Sequence, residues 1–163
     1  MKTLGIMRHA KSSWDDASLA DFERPLNERG RRAAPFIGGL MRRKDHLPCV
    51  ILSSPAKRAR STAELVNQAG ALGAEIRFDE RIYEASPQNL RQVVSELNDL
   101  HSSALLVGHN PGIEGFIRFL TGGIEPMPTA AFAVIELDID NWNDIDDGCG
   151  ELRVLYRPQD EMK

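Results

Sequence analysis

The chain has 163 residues, 42% of them hydrophobic and 27% charged, with a formal net charge of −4. That length fits one domain, residues 1–163, with a core large enough to fold alone, and the negative balance argues against a general nucleic-acid binder. No apolar run approaches the roughly 20 residues of a membrane span and no signal-type apolar segment stands at the N-terminus, so a cytoplasmic protein with no membrane partner is expected.

The first apolar run, Thr3-Leu4-Gly5-Ile6-Met7, reads as a strand and ends in Arg8-His9. Asn27 stands where a helix needs a cap, and the spacing of Ala33, Phe36, Ile37, Leu40 and Met41 predicts a helix running to about Arg43. Gly38 and Gly39 weaken that helix, by about 1 kcal/mol each relative to alanine where exposed. Arg29, Arg31, Arg32, Arg42, Arg43 and Lys44 crowd it, and a solvated helix face accounts for most of that crowding. Cys49-Val50-Ile51-Leu52 reads as a buried strand beginning with a packing cysteine. Cys49 and Cys149 form no spaced framework, which fits a reducing compartment.

Three further helix starts follow. Ser54-Pro55 predicts a cap and a first-position proline for a helix reaching about Ala69. Ser86-Pro87 repeats the signal ahead of Leu90, Val93, Val94, Leu97 and Leu100, and Asn110-Pro111 repeats it ahead of Ile113, Phe116, Ile117 and Leu120. Between these two, the apolar run Ala104-Leu105-Leu106-Val107 ends in Gly108-His109. Residues 131–137 and 151–156 are rich in β-formers, and the acidic stretch 138–150 between them reads as an exposed, hairpin-like loop. Alternating strands and helices through Thr121 imply an α/β, three-layer α/β/α sandwich on a mostly parallel sheet. The last two strands leave no room for a helix, which allows an antiparallel edge. Strand order is not legible.

In an open α/β sheet, ligands bind outside the carboxyl ends of the strands. Two histidines (His9, His109) and two arginines (Arg8, Arg58) are delivered to that edge, with no cysteine cluster and no carboxylate pair. This set suits phosphate chemistry. An arginine fork pairs with two phosphoryl oxygens at once. A neutral imidazole can attack phosphorus and form a covalent phosphohistidine, and a second one can donate to the phosphoryl oxygens. Zinc binding would need a helical histidine spacing or a cysteine partner, and neither is present, so no metal or other cofactor is expected. A serine nucleophile would need a G-x-S-x-G elbow, and no Gly-rich phosphate loop appears. His46, in the loop 44–48, and His101, near a helix end, read as structural. Trp14 fits either a pocket mouth or core or hinge packing of the first loop.

Arg8-His9-Ala10, Ser54-Pro55 followed by Arg58-Ala59 and Thr62, and Gly108-His109 together resemble the histidine phosphatase superfamily, the phosphoglycerate mutase-like branch. The fuller run Arg8-His9-Ala10-Lys11-Ser12-Ser13-Trp14 is most similar to SixA-type phosphohistidine phosphatases, which are also short chains. The motifs keep the family's order from Arg8 to His109. The resemblance implies a phosphoglycerate mutase-like fold. It makes His9 the nucleophile that becomes phosphorylated and gives Arg8, Arg58 and His109 the rest of the phosphate pocket. Ala10 stands where many members have glycine. Asp15 follows Trp14 where mutase-like members tend to have asparagine, and a carboxylate there would repel a phosphoglycerate.

Members that cleave phosphate esters use a carboxylate before the final histidine. In Asp79-Glu80-Arg81-Ile82-Tyr83-Glu84 the alignment nominates Glu84, and a shifted one nominates Glu80; either can equally be a solvated loop carboxylate. The resemblance therefore implies a metal-independent phosphatase whose substrate is phosphohistidine on a protein, such as a signalling phosphotransfer domain. A small-molecule or phosphoester phosphomonoesterase is the alternative within enzymes. A catalytically silent phosphoprotein-binding module is the alternative outside them.

Overall fold

The computed structural model describes residues 1–162. Its strands are β1 (Lys2–Arg8), β2 (Val50–Ser53), β3 (Glu75–Phe78), β4 (Ser103–Gly108), β5 (Phe132–Leu137) and β6 (Gly150–Tyr156). They form one sheet in the order β3-β2-β4-β1-β5-β6. The pairs β1–β4, β2–β4 and β2–β3 are parallel. β5 runs antiparallel to β1 and β6 antiparallel to β5, so the edge allowed by the sequence is antiparallel over two strands.

The helices are α1 (Glu28–Arg43), α2 (Lys57–Ala69), α3 (Pro87–Ser95), α4 (Gly112–Thr121) and α5 (Pro158–Glu161). Side chains alternate across a strand with period two, which splits the core. Leu4 and Ile6 of β1 face one side, with Leu106 of β4 and with Val94, Phe116 and Ile117 of α3 and α4. Met7 faces the other, with Val107 of β4 and with Ile37, Met41, Ala63 and Val66 of α1 and α2. The three-layer sandwich follows from that division.

Asn27 caps α1 as expected, its side chain accepting from Gly30 N–H at 2.9 Å. Gly38 has a packing reason: a Cβ there would sit 2.5 Å from the Val66 carbonyl oxygen, where α1 crosses α2. At Gly39 the nearest obstacle is the end of the Arg43 side chain.

Several expectations are corrected. α2 starts at Lys57 rather than just after Ser54; the Ser54 hydroxyl holds a local turn, accepting from Ala56 N–H at 3.2 Å, and also meets His109 Nε2. Pro111, not Asn110, occupies the cap position of α4, and the Asn110 amide donates instead to Glu114 and to the Met127 carbonyl. α3 stops at Ser95, leaving Leu97 buried beyond its end and Leu100 90% exposed. Cys49 is exposed, just ahead of β2, so it is not a packing cysteine. The stretch 138–150 is not simply an exposed loop: Trp142, in a short 3-10 turn, is fully buried, and Ile139 and Ile145 join the same core. β3 carried no apolar signal, because three of its four residues are exposed at the sheet edge.

Candidate active site

The register of the sheet assembles the site. Arg8 pairs with Gly108 across the parallel β1–β4 ladder, so His9 and His109 leave neighbouring strands at the same level. His9 N–H continues the ladder to the Gly108 carbonyl at 3.0 Å. β2 lies on the other side of β4, and Ser54 N–H donates to the Val107 carbonyl at 3.1 Å. Arg58, in the first turn of α2, follows from there. Thr62 ties the two exits together: its hydroxyl accepts from Ala10 N–H at 2.9 Å and donates to the Arg58 carbonyl at 2.7 Å. Three distant parts of the chain thus meet at the carboxyl edge of the parallel strands, as open α/β sheets arrange their ligand sites.

His9 is 6% exposed. Its Nδ1 lies 2.7 Å from the Ala10 carbonyl oxygen, which only accepts, so Nδ1 carries the proton and the Nε2 lone pair is free. Nε2 has no hydrogen-bond partner among the described residues. Burial, reinforced by the charges of His109, Arg58 and Arg8, lowers the His9 pKa to about 3, so the ring is neutral at neutral pH. His109 lies with its ring centroid 5.0 Å from that of His9. Its pKa is lowered to about 4, by burial first and then by Arg58. His109 Nε2 lies 2.8 Å from Ser54 Oγ.

The two arginines are held from behind. Arg8 Nη1 donates to the Met127 carbonyl at 3.2 Å. Burial lowers its pKa and the Glu114 carboxylate opposes that shift. The same Glu114 accepts from Met127 N–H at 2.9 Å and so fixes the carbonyl that holds Arg8. Arg58 is gripped twice by Asp21, Nη1 to the backbone carbonyl at 2.7 Å and Nη2 to the carboxylate at 2.9 Å. The Asp21 carboxylate also accepts from Tyr83 O–H at 2.7 Å and from Arg24 Nε at 3.2 Å. Tyr83 foremost, with the arginines, holds the Asp21 pKa down at about 2 despite partial burial. Tyr83 in turn sets its ring edge-on to His109, with centroids 5.5 Å apart.

Among the described residues, three buried nitrogens are left without partners: Arg8 Nε, Arg58 Nε and, with the Ser54 hydroxyl donating to its Nε2, the Nδ1–H of His109. Buried polar atoms are nearly always paired, so three unpaired donors from three different chain segments point to an anion as their partner. The fourth buried unpaired atom is an acceptor, Asn110 Oδ1, on the next residue. Among the described residues, no three His, Cys, Asp or Glu side chains cluster to hold a metal.

Arg8, His9, Arg58 and His109 are therefore brought together as read from the sequence. Glu84 and Glu80 are both exposed, and neither hydrogen-bonds to those four. It is the neighbour of Glu84, Tyr83, that reaches the site. Sequence reasoning missed Asp21 and Tyr83, and it gave Ser54 to a helix cap. Nothing marks Asp21 in the sequence among Asp15, Asp16 and Glu23. Trp14 is 71% exposed under the Arg24 guanidinium, 3.5 Å from its ring centroid, which excludes core packing. His46 bonds to Tyr156 O–H at 3.2 Å, away from the site.

The histidine phosphatase superfamily (branch 1) matches residues 4–91. An uncharacterised protein of Mycobacterium tuberculosis is 34% identical over 166 aligned positions, covering 94% of this chain and all of the relative. A presumed phosphohistidine phosphatase SixA from Agrobacterium tumefaciens superposes with a TM-score of 0.83 at 27% identity, over 96% of this chain and 98% of the other. A second presumed SixA, from Nakamurella multipartitia, superposes with a TM-score of 0.82 at 26% identity, over 96% of each chain. A tungstate complex of the protein histidine phosphatase SixA shares the fold, with a TM-score of 0.85 at 21% identity over 98% of this chain and 99% of that one.

Proposed function

Because the chain belongs to the histidine phosphatase superfamily and is a phosphatase, we propose that it removes phosphate from phosphohistidine on a protein through a covalent intermediate on His9. The observation that carries this reading is the neutral His9, its Nε2 lone pair free, beside three buried donors that have no partner. The SixA names of the similar structures support the phosphohistidine substrate.

The phosphoryl oxygens bind Arg8 Nε, Arg58 Nε and His109 Nδ1–H. Ser54 donates its hydroxyl hydrogen to His109 Nε2, which leaves the ring proton on Nδ1, toward the phosphoryl group. His9 Nε2 attacks phosphorus, the P–N bond to the substrate breaks, and its electron pair returns to the substrate imidazole. That imidazole leaves neutral because the substrate ring enters protonated on its other nitrogen, and it keeps that proton. Water then attacks phosphorus and the P–Nε2 bond breaks, its electron pair returning to His9; phosphate leaves as the dihydrogen anion carrying both protons of the water, and His9 is again neutral with its proton on Nδ1. The fixed donors stabilise charge in both steps without reorganising.

An ester is a harder substrate because its alkoxide needs a proton as it leaves, and general acid catalysis typically contributes about 10²–10⁴-fold. Asp21, the carboxylate joined to the site, is ionised through the physiological range, and Glu84 stands exposed. A phosphohistidine leaving group has no such need. A cytoplasmic location is part of the same reading.

The test compares phosphate release from a phosphohistidine-bearing protein and from a small phosphate ester, in wild type, His9→Ala and Glu84→Gln. The reading expects fast release from phosphohistidine, its loss in His9→Ala and little change in Glu84→Gln. Preference for the ester, with loss in Glu84→Gln, would make the protein a phosphomonoesterase with Glu84 as its acid. Phosphate binding without release from either would make it a binding module.

A further inference from the structure

A second cavity of about 290 Å³ opens beside the phosphate pocket, lined among others by Lys11, Arg29, Arg32, Pro128, Thr129 and Gln159. It lies at the same sheet edge as the catalytic histidines. Lys11 is two residues past His9 on the exit from β1, and two residues of chain span at most about 7 Å. Its carbonyl accepts from Asn27 N–H at 2.9 Å, which sets the first turn of α1, and with it Arg29 and Arg32, against the exit. The opposite wall belongs to the segment leading into β5. Met127 there holds Arg8, and Ala130 N–H reaches the carbonyls of Arg8 and His9, each at 3.1 Å. Pro128 and Thr129, between them in the chain, line the cavity.

The cations of this pocket are not used up within the fold. Lys11 and Arg29 have no ion-pair partner among the described residues, and Arg32 has only the exposed Glu28, at 3.2 Å. Elsewhere on α1, Arg31 and Arg42 are spent on backbone carbonyls, of Leu26 and of Gly70 and Ala71. Arg77, Arg81 and Arg153 are paired with carboxylates. The acidic residues of α5, Asp160 and Glu161, do not line the cavity. The solvated-face reading accounts for the outer arginines of α1 but not for three cations converging on one hollow beside the catalytic edge. The aspartates 138, 140, 144, 146 and 147 follow β5 at the opposite edge of the sheet. An acidic partner is repelled there and drawn to the catalytic edge.

Resting on the phosphohistidine reading above, we propose that this pocket docks a carboxylate side chain within a few residues of the phosphorylated histidine on the protein substrate. The phosphate pocket recognises the phosphoryl group and this one recognises its acidic neighbourhood. Exposed ion pairs are weak singly and screened by salt. Their combined effect falls on substrate capture, expected as a roughly 5–10-fold change in KM with kcat unchanged.

The test uses two phosphohistidine peptides, one flanked by Asp and Glu and the other by Asn and Gln, with wild type and a Lys11→Ala/Arg29→Ala double variant. Both substituted side chains are exposed. Wild type should prefer the acidic peptide through KM, and the preference should fade with added salt. It should disappear in the double variant, with turnover of the neutral peptide unchanged. Equal KM values for the two peptides in wild type would overturn the proposal, as would a preference that survives in the variant. Failure of wild type to release phosphate from either peptide would overturn the phosphohistidine reading itself, and the docking site with it.

Discussion

Ser54 Oγ lies 2.8 Å from His109 Nε2, so a serine at the end of β2 sets the face that a histidine at the end of β4 presents to the pocket. Ser54→Ala removes a buried hydrogen bond and frees the His109 ring to turn or change tautomer. Losing one partner of a buried hydrogen bond costs about 1–3 kcal/mol, and the part realised in the transition state lowers kcat by roughly 10-fold or more. KM should change little, and Ser54→Thr should restore most of the rate. Steady-state kinetics on a phosphohistidine peptide check all three values.

Asp21 grips Arg58 with both its backbone carbonyl and its carboxylate, and binds Arg24 and Tyr83 as well. It ties the segment 11–26 to Arg58 and Tyr83. Asp21→Asn keeps the shape but loses the charge and one acceptor oxygen, so Arg58 is held less firmly. The expected outcome is weaker binding of inorganic phosphate, by about 10-fold, and faster proteolytic nicking within residues 11–26. Tyr83→Phe, which removes one bond to Asp21, should show the same changes more weakly. Titration calorimetry with phosphate and limited proteolysis measure the two effects.

The buried histidines set how stability responds to acid. Both titrate lower in the folded protein than the ordinary 6.5, at about 3 for His9 and about 4 for His109. Between those values the unfolded chain binds more protons, so stability rises with pH. The contribution is complete above about pH 6.5 and is lost as pH falls through 4 and then 3, at up to about 1.4 kcal/mol per pH unit for each ring. Melting curves between pH 7 and 4 should show a steep decline in wild type and a shallower one in His9→Asn.

Neighbouring glycines of α1 should respond to alanine with opposite signs. At Gly38 the new methyl would meet the Val66 carbonyl at 2.5 Å, and forcing the helices apart destabilises by about 1–3 kcal/mol. At Gly39 it would meet only the flexible end of Arg43, and the better helix former stabilises by up to about 1 kcal/mol. Chemical denaturation of the two variants checks the pair.

The same contrast marks what could be read in advance. The sequence shows that α1 contains two weak helix formers. It does not show that only Gly38 lies under α2, because that depends on how the helices cross. Arg8, His9, Arg58 and His109 were legible because apolar runs announce strands and a strand's exit is where such folds place chemistry. Asp21 was not, since its role comes from reaching across to Arg58 and Tyr83, 37 and 62 residues away. Ser54 was half read for a related reason: its hydroxyl does accept a local backbone N–H, from Ala56, but it also meets His109, 55 residues away, which no local pattern announces. β3 escaped notice because an edge strand needs little apolar surface, and the 3-10 turn at Trp142 did so because its acidic neighbours hide a buried ring.

The proposed mechanism passes every phosphoryl group through His9 Nε2. Mixing the enzyme with a phosphohistidine peptide, quenching with alkali within a turnover and mapping the modified peptide by mass spectrometry tests it most directly. The expected result is one acid-labile, alkali-stable phosphoryl group on His9, formed at least as fast as phosphate is released and absent in His9→Ala. Turnover with no phosphoryl group on His9 at any time, or with the group on another residue, would contradict it.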